Sequence, residues 1–233
     1  MNKDTVLKIE DLSIAFGGLK AVDSLSFEIK EGEIFGLIGP NGAGKTTVFN
    51  CITQFYKPDE GKVLFKGNSG EFENLVGQKT HNIISNGLVR TFQNIELINE
   101  LSVIDNLLIG SHIEFKASVL SQVLRLPKAK QEEELLRKKA EEILKYMGLY
   151  DIKDQLVAGQ PYGILKRIEL ARTLMCNPKL IILDEPAAGL NETETLDLIE
   201  KVRDIRDKYD CAILLVEHDM KFVMGLSDRV AVL

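Results

Sequence analysis

Residues 39–47 bring together three glycines, a lysine and two hydroxyls: Gly39, Pro40, Asn41, Gly42, Ala43, Gly44, Lys45, Thr46 and Thr47. The run fits G-x-x-x-x-G-K-[ST], a loop built to hold phosphate. Glycine lacks a Cβ, so the chain can turn successive N–H groups inward toward a polyphosphate. Lys45 would meet the β and γ phosphates as a point charge, and the Thr46 hydroxyl would be an oxygen ligand of Mg²⁺. The apolar residues Ile34, Phe35, Leu37 and Ile38 come just before, and a helical pattern opens at Lys45. Strand, loop and helix therefore stand in the order a true instance needs. The alternative is a glycine-rich turn ahead of a core helix, and the lysine and hydroxyl in register argue against it.

Further along, Asp184 and Glu185 end the apolar run LIILDEP. That is the edge at which doubly wound sheets bind ligands. An aspartate there can hold Mg²⁺ through water, and a second carboxylate can take a proton from an attacking water. His218 ends the next apolar run, AILLVEHD, beside Glu217 and Asp219. By itself it reads as readily as a surface histidine as a functional one. Gln93 closes the short piece GLVRTFQN, where a glutamine is more often a surface residue. Phe16 precedes Gly17 and Gly18, and its spacing favours core over an exposed stacking platform.

The elements that must position these residues follow from periodicity. Residues 6–29 alternate apolar and polar positions, as antiparallel strands with one covered face do. A turn at 58–61 leads to a strand, KVLFKG, and residues 68–87 read as loop with one short helix at 81–85. Residues 101–126 carry apolar positions at helical spacing. Residues 128–147 form an amphipathic helix with Leu135, Leu136, Ala140, Ile143, Leu144 and Met147 on one face, capped by Gly148. A helix follows Gly163 with Ile164, Ile168, Ala171 and Leu174 inward, and another is expected from 192 to 209. Continuous apolar strands alternating with such helices define an α/β fold with a covered parallel sheet. A last strand begins at Asp228.

The 233 residues suffice for a sizeable core, with 45% hydrophobic and 27% charged residues. A net charge of −6 argues against broad electrostatic binding of nucleic acid. Cys51, Cys176 and Cys211 are far apart with no metal spacing, which suits reduced thiols in a cytosolic protein. Cys51 reads as a small buried hydrophobe. The amino terminus lacks the apolar stretch of a secretory signal, and no run approaches the ~20 apolar residues of a membrane-spanning helix. A role at a membrane would require another chain to cross it.

Taken in order, Phe16, residues 39–47, Gln93, PYG with ELAR at 161–172, LIILDEP, AGLN at 188–191 and His218 resemble the ATP-binding subunits of ABC transporters over essentially the whole chain. Gly163 precedes Asp184 by 21 residues and His218 follows Asp184 by 34, separations that fit the family. The resemblance implies a P-loop NTPase (RecA-like) core with an antiparallel β subdomain and an inserted α-helical subdomain, divided as 1–93, 94–163 and 164–233. It implies ATP and Mg²⁺, with Phe16 stacked on adenine and Thr46, Gln93 and Asp184 serving the metal. It makes Glu185 the general base, and His218 a grip on the γ-phosphate. Tyr162 and Gly163 would face the nucleotide of a second subunit in a sandwich dimer, either a homodimer or a pairing with a paralogous ATPase subunit. Its other implied partners are two integral membrane permeases and, indirectly, a substrate-binding protein, at the cytoplasmic face of the cell membrane.

Three departures stand out. The usual Leu-Ser-Gly-Gly-Gln signature is Gln160-Pro161-Tyr162-Gly163-Ile164 here, Asn191 replaces the usual aspartate, and the customary strand-and-helix tail does not follow position 233. RTFQN, ELSVIDNLLIG, PYG and LDEPAAGLN narrow the resemblance to subunits powering uptake of branched-chain amino acids and related substrates. The alternatives are the motor of a lipid or lipopolysaccharide exporter, an ABC ATPase acting on DNA or ribosomes, and a subunit that binds ATP without cleaving it.

Overall fold

A computed structural model describes residues 4–91, 95–110 and 127–233. The chain divides into two units, residues 1–93 with 178–233, and residues 94–177. The second unit thus runs past Gly163, where the sequence pattern placed the return to the core, and includes the helix that follows it.

The first unit holds two sheets. In the antiparallel one, β1 (Thr5–Phe16), β2 (Leu19–Lys30), β4 (Glu60–Lys66) and β5 (Phe72–Asn74) lie in the order β2-β1-β4-β5. Gly17 and Gly18 close the β1–β2 hairpin at φ +54° and +86°. A two-residue turn with positive φ at both positions matches the twist of its strands, and glycine takes it without strain. Strand β5 falls in the stretch expected to be loop, because three residues, Phe-Glu-Asn, carry no readable alternation.

The second sheet is parallel throughout. It consists of β6 (Leu88–Arg90), β7 (Leu180–Asp184), β8 (Ala212–Val216), β3 (Ile34–Ile38) and β9 (Arg229–Val232), in that order. Strands β7 and β8 are buried at every position, as a sheet covered on both faces requires. Both sheets contribute to one core: Leu7 and Phe65 from the antiparallel sheet join Phe35, Leu37, Ile182 and Leu214. Helix α1 (Lys45–Ile52) adds Val48, Phe49 and Ile52, all fully buried. Burial of such side chains stabilises the fold by about 1.5–3 kcal/mol each. Helix α2 (Thr80–Ser85), α6 (Glu192–Tyr209) and α7 (Met220–Leu226) complete the unit.

Strand order decides what meets. Leu37 of β3 and Asp184 of β7 both lie level with Val216 of β8, which runs between them. The phosphate loop, the residues after Val216 and the Asp184–Glu185 pair therefore leave the sheet at one edge. An intervening strand between the phosphate-loop strand and the aspartate strand is the RecA-like arrangement.

The second unit is helical: α3 (Val103–Gly110), α4 (Pro127–Tyr146), a short 3₁₀ turn (Tyr150–Ile152) and α5 (Tyr162–Leu174). The helical reading of residues 111–126 lies outside the described residues. Leu136, Ala140, Ile143, Leu144 and Met147 are buried, but Leu135, expected beside them, is 67% exposed. The buried set recurs at i, i+4, i+7, i+8 and i+11, and Leu135 sits ~100° off its leading edge. Gly148 ends the helix at φ +66°, with the Leu149 N–H donating to the Leu144 carbonyl at 2.8 Å. Asn106, almost fully buried, donates to the carbonyls of Ile98 and Ser102 and accepts from the Ile98 N–H, which pins the entry to α3.

Candidate functional site

The loop between β3 and α1 has the backbone its glycines allow. Gly42 and Gly44 take φ +83° and +97°. At Gly44 a Cβ would collide with the Ala21 carbonyl oxygen of β2, so both conformation and space require glycine. Gly44 is also the N-cap of α1 and no side chain caps that end, which leaves its first N–H groups aimed at the loop. Lys45 is buried and lies across its own loop, donating from Nζ to the carbonyls of Gly39 at 2.8 Å and Pro40 at 2.9 Å. Pro40 and Asn41 are exposed, Ala43 half-buried, and the hydroxyl residues Thr46 and Thr47 follow in the first helical turn, Thr46 exposed.

Asp184 ends β7 and is buried, with its Oδ2 accepting from Arg90 Nη2 at 2.6 Å. The other arm of the same guanidinium donates to Asn50 Oδ1 of α1 at 2.7 Å, and the group lies 5.5 Å from the centre of the Phe49 ring. One buried arginine thus links the phosphate-loop helix, β6 and the aspartate. The sequence reading passed over Arg90. Its signal was there: a cation inside Leu-Val-Arg, where a covered parallel strand should be apolar.

The next residue, Glu185, has φ +47°, and its N–H donates to the Val216 carbonyl at 2.9 Å. This left-handed turn, uncommon for a residue with a Cβ, brings the carboxylate Oε1 within 2.9 Å of His218 Nε2. Both side chains are partly open to solvent, at 22% and 43% exposure for Glu185 and His218. Between them in the fold lies Glu217, 5% exposed, which accepts from the backbone N–H of Ala187 at 2.7 Å and of His218 at 3.0 Å. Burial pushes its carboxyl above the ordinary range, and the backbone donors of Ala187, His218 and Asp219 pull it partly back.

Phe16 is not core. It is 48% exposed at the hairpin tip, with its ring edge-to-face on Tyr56 at 5.3 Å between centroids. The ring therefore has a face open to solvent, as a stacking platform would need. Gln93 lies outside the described residues. Tyr162 and Gly163 open α5 in the helical unit, with Pro161 at the N-cap and no side chain capping it. Asn191 has a plain structural use. It caps α6 in a capping box, its side chain accepting from the Glu194 N–H and its own N–H donating to the Glu194 carboxylate, both at 3.0 Å. Cys51 is buried and its thiol is pushed up to about 11 by that burial, as a small hydrophobe's would be.

Among the described residues no cluster of three or more His, Cys, Asp or Glu could cage a metal. Thr46 and Asp184 instead offer hard oxygens next to a phosphate loop, the donor set that suits Mg²⁺ shared with phosphates and water.

A phosphate loop on the central sheet, with a histidine after the neighbouring strand paired to a carboxylate after the strand beyond it, defines an ATP-hydrolysing cassette. The chain belongs to the ABC transporter family, whose family model matches residues 22–188. Among its relatives, the high-affinity branched-chain amino acid transport ATP-binding protein LivG of Salmonella typhimurium is 43% identical over 97% of this chain and 87% of its own length. BraF of Pseudomonas aeruginosa, of the same description, is 38% identical over 98% and 88%. The crystal structure of the ADP conformation of an ATP-binding cassette from an ABC transporter superposes with a TM-score of 0.83 at 33% identity, covering 98% of this chain and 87% of that one. A nucleotide-free cassette gives 0.82 at 33% identity, with the same coverage.

Proposed function

We infer that this chain is the ATP-hydrolysing subunit that powers import of branched-chain or related amino acids through separate membrane permeases. The observation that carries the hydrolytic part is the 2.9 Å contact between Glu185 and His218 at the sheet edge shared with the phosphate loop. The transport part rests on the likeness to LivG and BraF.

In this reading the N–H groups of residues 39–46 and Lys45 hold the β and γ phosphates, and Phe16 stacks on adenine. Thr46, Asp184 and Gln93 would hold Mg²⁺, which neutralises charge developing on the phosphates. Glu185 takes the proton of the attacking water. His218 holds that carboxylate and reaches the γ-phosphate, so the base and the phosphate it serves share one contact. Tyr162 and the N-terminus of α5 serve the nucleotide of a second ATPase copy, identical or paralogous. Pro161 lacks both hydroxyl and N–H, so this contact comes from the Gly163 backbone, and the isolated subunit is expected to dimerise weakly and turn over slowly. Permeases that hold two copies together would raise the effective concentration. Among the described residues no helix is long and apolar enough to cross a membrane; in this reading the permeases hold the subunit at the cytoplasmic face of the cell membrane. A substrate-binding protein would act through the permeases.

Deleting the gene should lower uptake of radiolabelled leucine, isoleucine or valine, restored by the wild-type gene and not by Lys45→Ala. Unchanged uptake of all three would contradict the transport assignment.

A further inference from the structure

Glu217 is a buried carboxylate whose hydrogen bonds, among the described residues, come from backbone N–H groups. Such a group is costly to desolvate, and its charge-assisted bonds only offset that cost. An apolar residue after Val216 would serve the sheet at least as well. The two bonds also use different oxygens: Oε1 takes the N–H of Ala187 and Oε2 that of His218. Ala187 lies two residues beyond Glu185 in a turn closed by the Ala188 N–H on the Glu185 carbonyl at 3.1 Å. Holding Ala187 therefore holds the main chain that aims Glu185, and holding the His218 N–H fixes the base of the imidazole. Without such a tie, two half-open side chains on separate turns would lose their 2.9 Å contact among other rotamers.

We propose that Glu217 is a positioning residue that joins the turn carrying Glu185 to the turn carrying His218, so that base and histidine are placed, and shift, as one piece. This inference rests on the hydrolytic reading given above. The Ala187 and His218 N–H groups sit on different oxygens, so glutamine at 217 can satisfy only one of that pair, because its other terminal atom is itself a donor. Leucine can satisfy neither. The effect should therefore be graded, and it should fall on turnover and not on nucleotide affinity.

The test is steady-state ATP hydrolysis with equilibrium ATP titration and melting temperature, on the full chain carrying Glu217→Gln, Glu217→Leu, Glu185→Gln, and Glu217→Gln combined with His218→Ala. Glu217→Gln should lower kcat by about tenfold, the cost of one lost charge-assisted bond, with ATP affinity within about twofold of wild type. Glu217→Leu should lower it further. Because one end of the tie acts through the His218 imidazole and the other through Glu185, the glutamine substitution should cost clearly less in the His218→Ala background than it does alone. Wild-type kcat in Glu217→Gln overturns the inference, as does a full tenfold loss on top of His218→Ala. So does parallel loss of affinity and melting temperature with kcat unchanged for the bound fraction, which would mark a purely structural residue. If Glu185→Gln itself turns over normally, it is the hydrolytic reading that fails; a dead Glu185→Gln beside a normal Glu217→Gln removes only the tie.

Discussion

Arg90 shows how one side chain can serve fold and site together. Its guanidinium spans Asn50 on the phosphate-loop helix and Asp184 on β7, and the Arg90 and Asp184 side chains are only 7% and 6% exposed. Breaking a buried pair leaves a charge without its partner and costs about 3–5 kcal/mol. Arg90→Met should therefore lower the urea-unfolding free energy by about that amount, and adding Asp184→Asn should recover more than about 1 kcal/mol of it. Strictly additive losses would show that the two groups do not act as a pair. Lys45, Asp184 and Glu185 stood out in the sequence as candidates because each belongs to a motif with a chemical reason for its spacing, whereas His218 read evenly as surface or functional and took its role from the family resemblance. Arg90 and Glu217 did not stand out, since their partners lie 94 and 30 residues away and neither has a local pattern. Phe16 misled for a related reason: alternation gives the face of a strand, but not whether the strand's end projects beyond the core.

At the scale of elements, helix ends were the most readable features. Gly148 and the 192–209 helix stand where turn chemistry and periodicity put them. Asn191 illustrates what the sequence could not say. The sequence marked it only as a departure from the family's usual aspartate, and the structure gives it a capping box. Asn191→Ala should cost about 0.5–2 kcal/mol of stability, while Asn191→Asp, an equally good cap that also favours the helix dipole, should be near neutral. Denaturant unfolding of both variants checks this; equal losses would mean that the cap does not hold α6. Strand β5 and the exposure of Leu135 were missed because three residues cannot show a period and a leucine one position off a stripe looks the same as one within it.

Across the whole molecule, the α/β class and the alternation of strands and helices could be read directly, but strand order could not. Nothing local says that β8 enters between β3 and β7, and that placement brings His218, Glu185 and the phosphate loop to one edge. We propose that this edge cleaves ATP with Glu185 as the base. The most direct measurement is ATP turnover by Glu185→Gln beside ATP binding and size-exclusion chromatography of the same protein. We expect ATP affinity to be retained, turnover to fall by at least about 10², and an ATP-bound dimer to persist. Near-normal hydrolysis in that variant would contradict the mechanism.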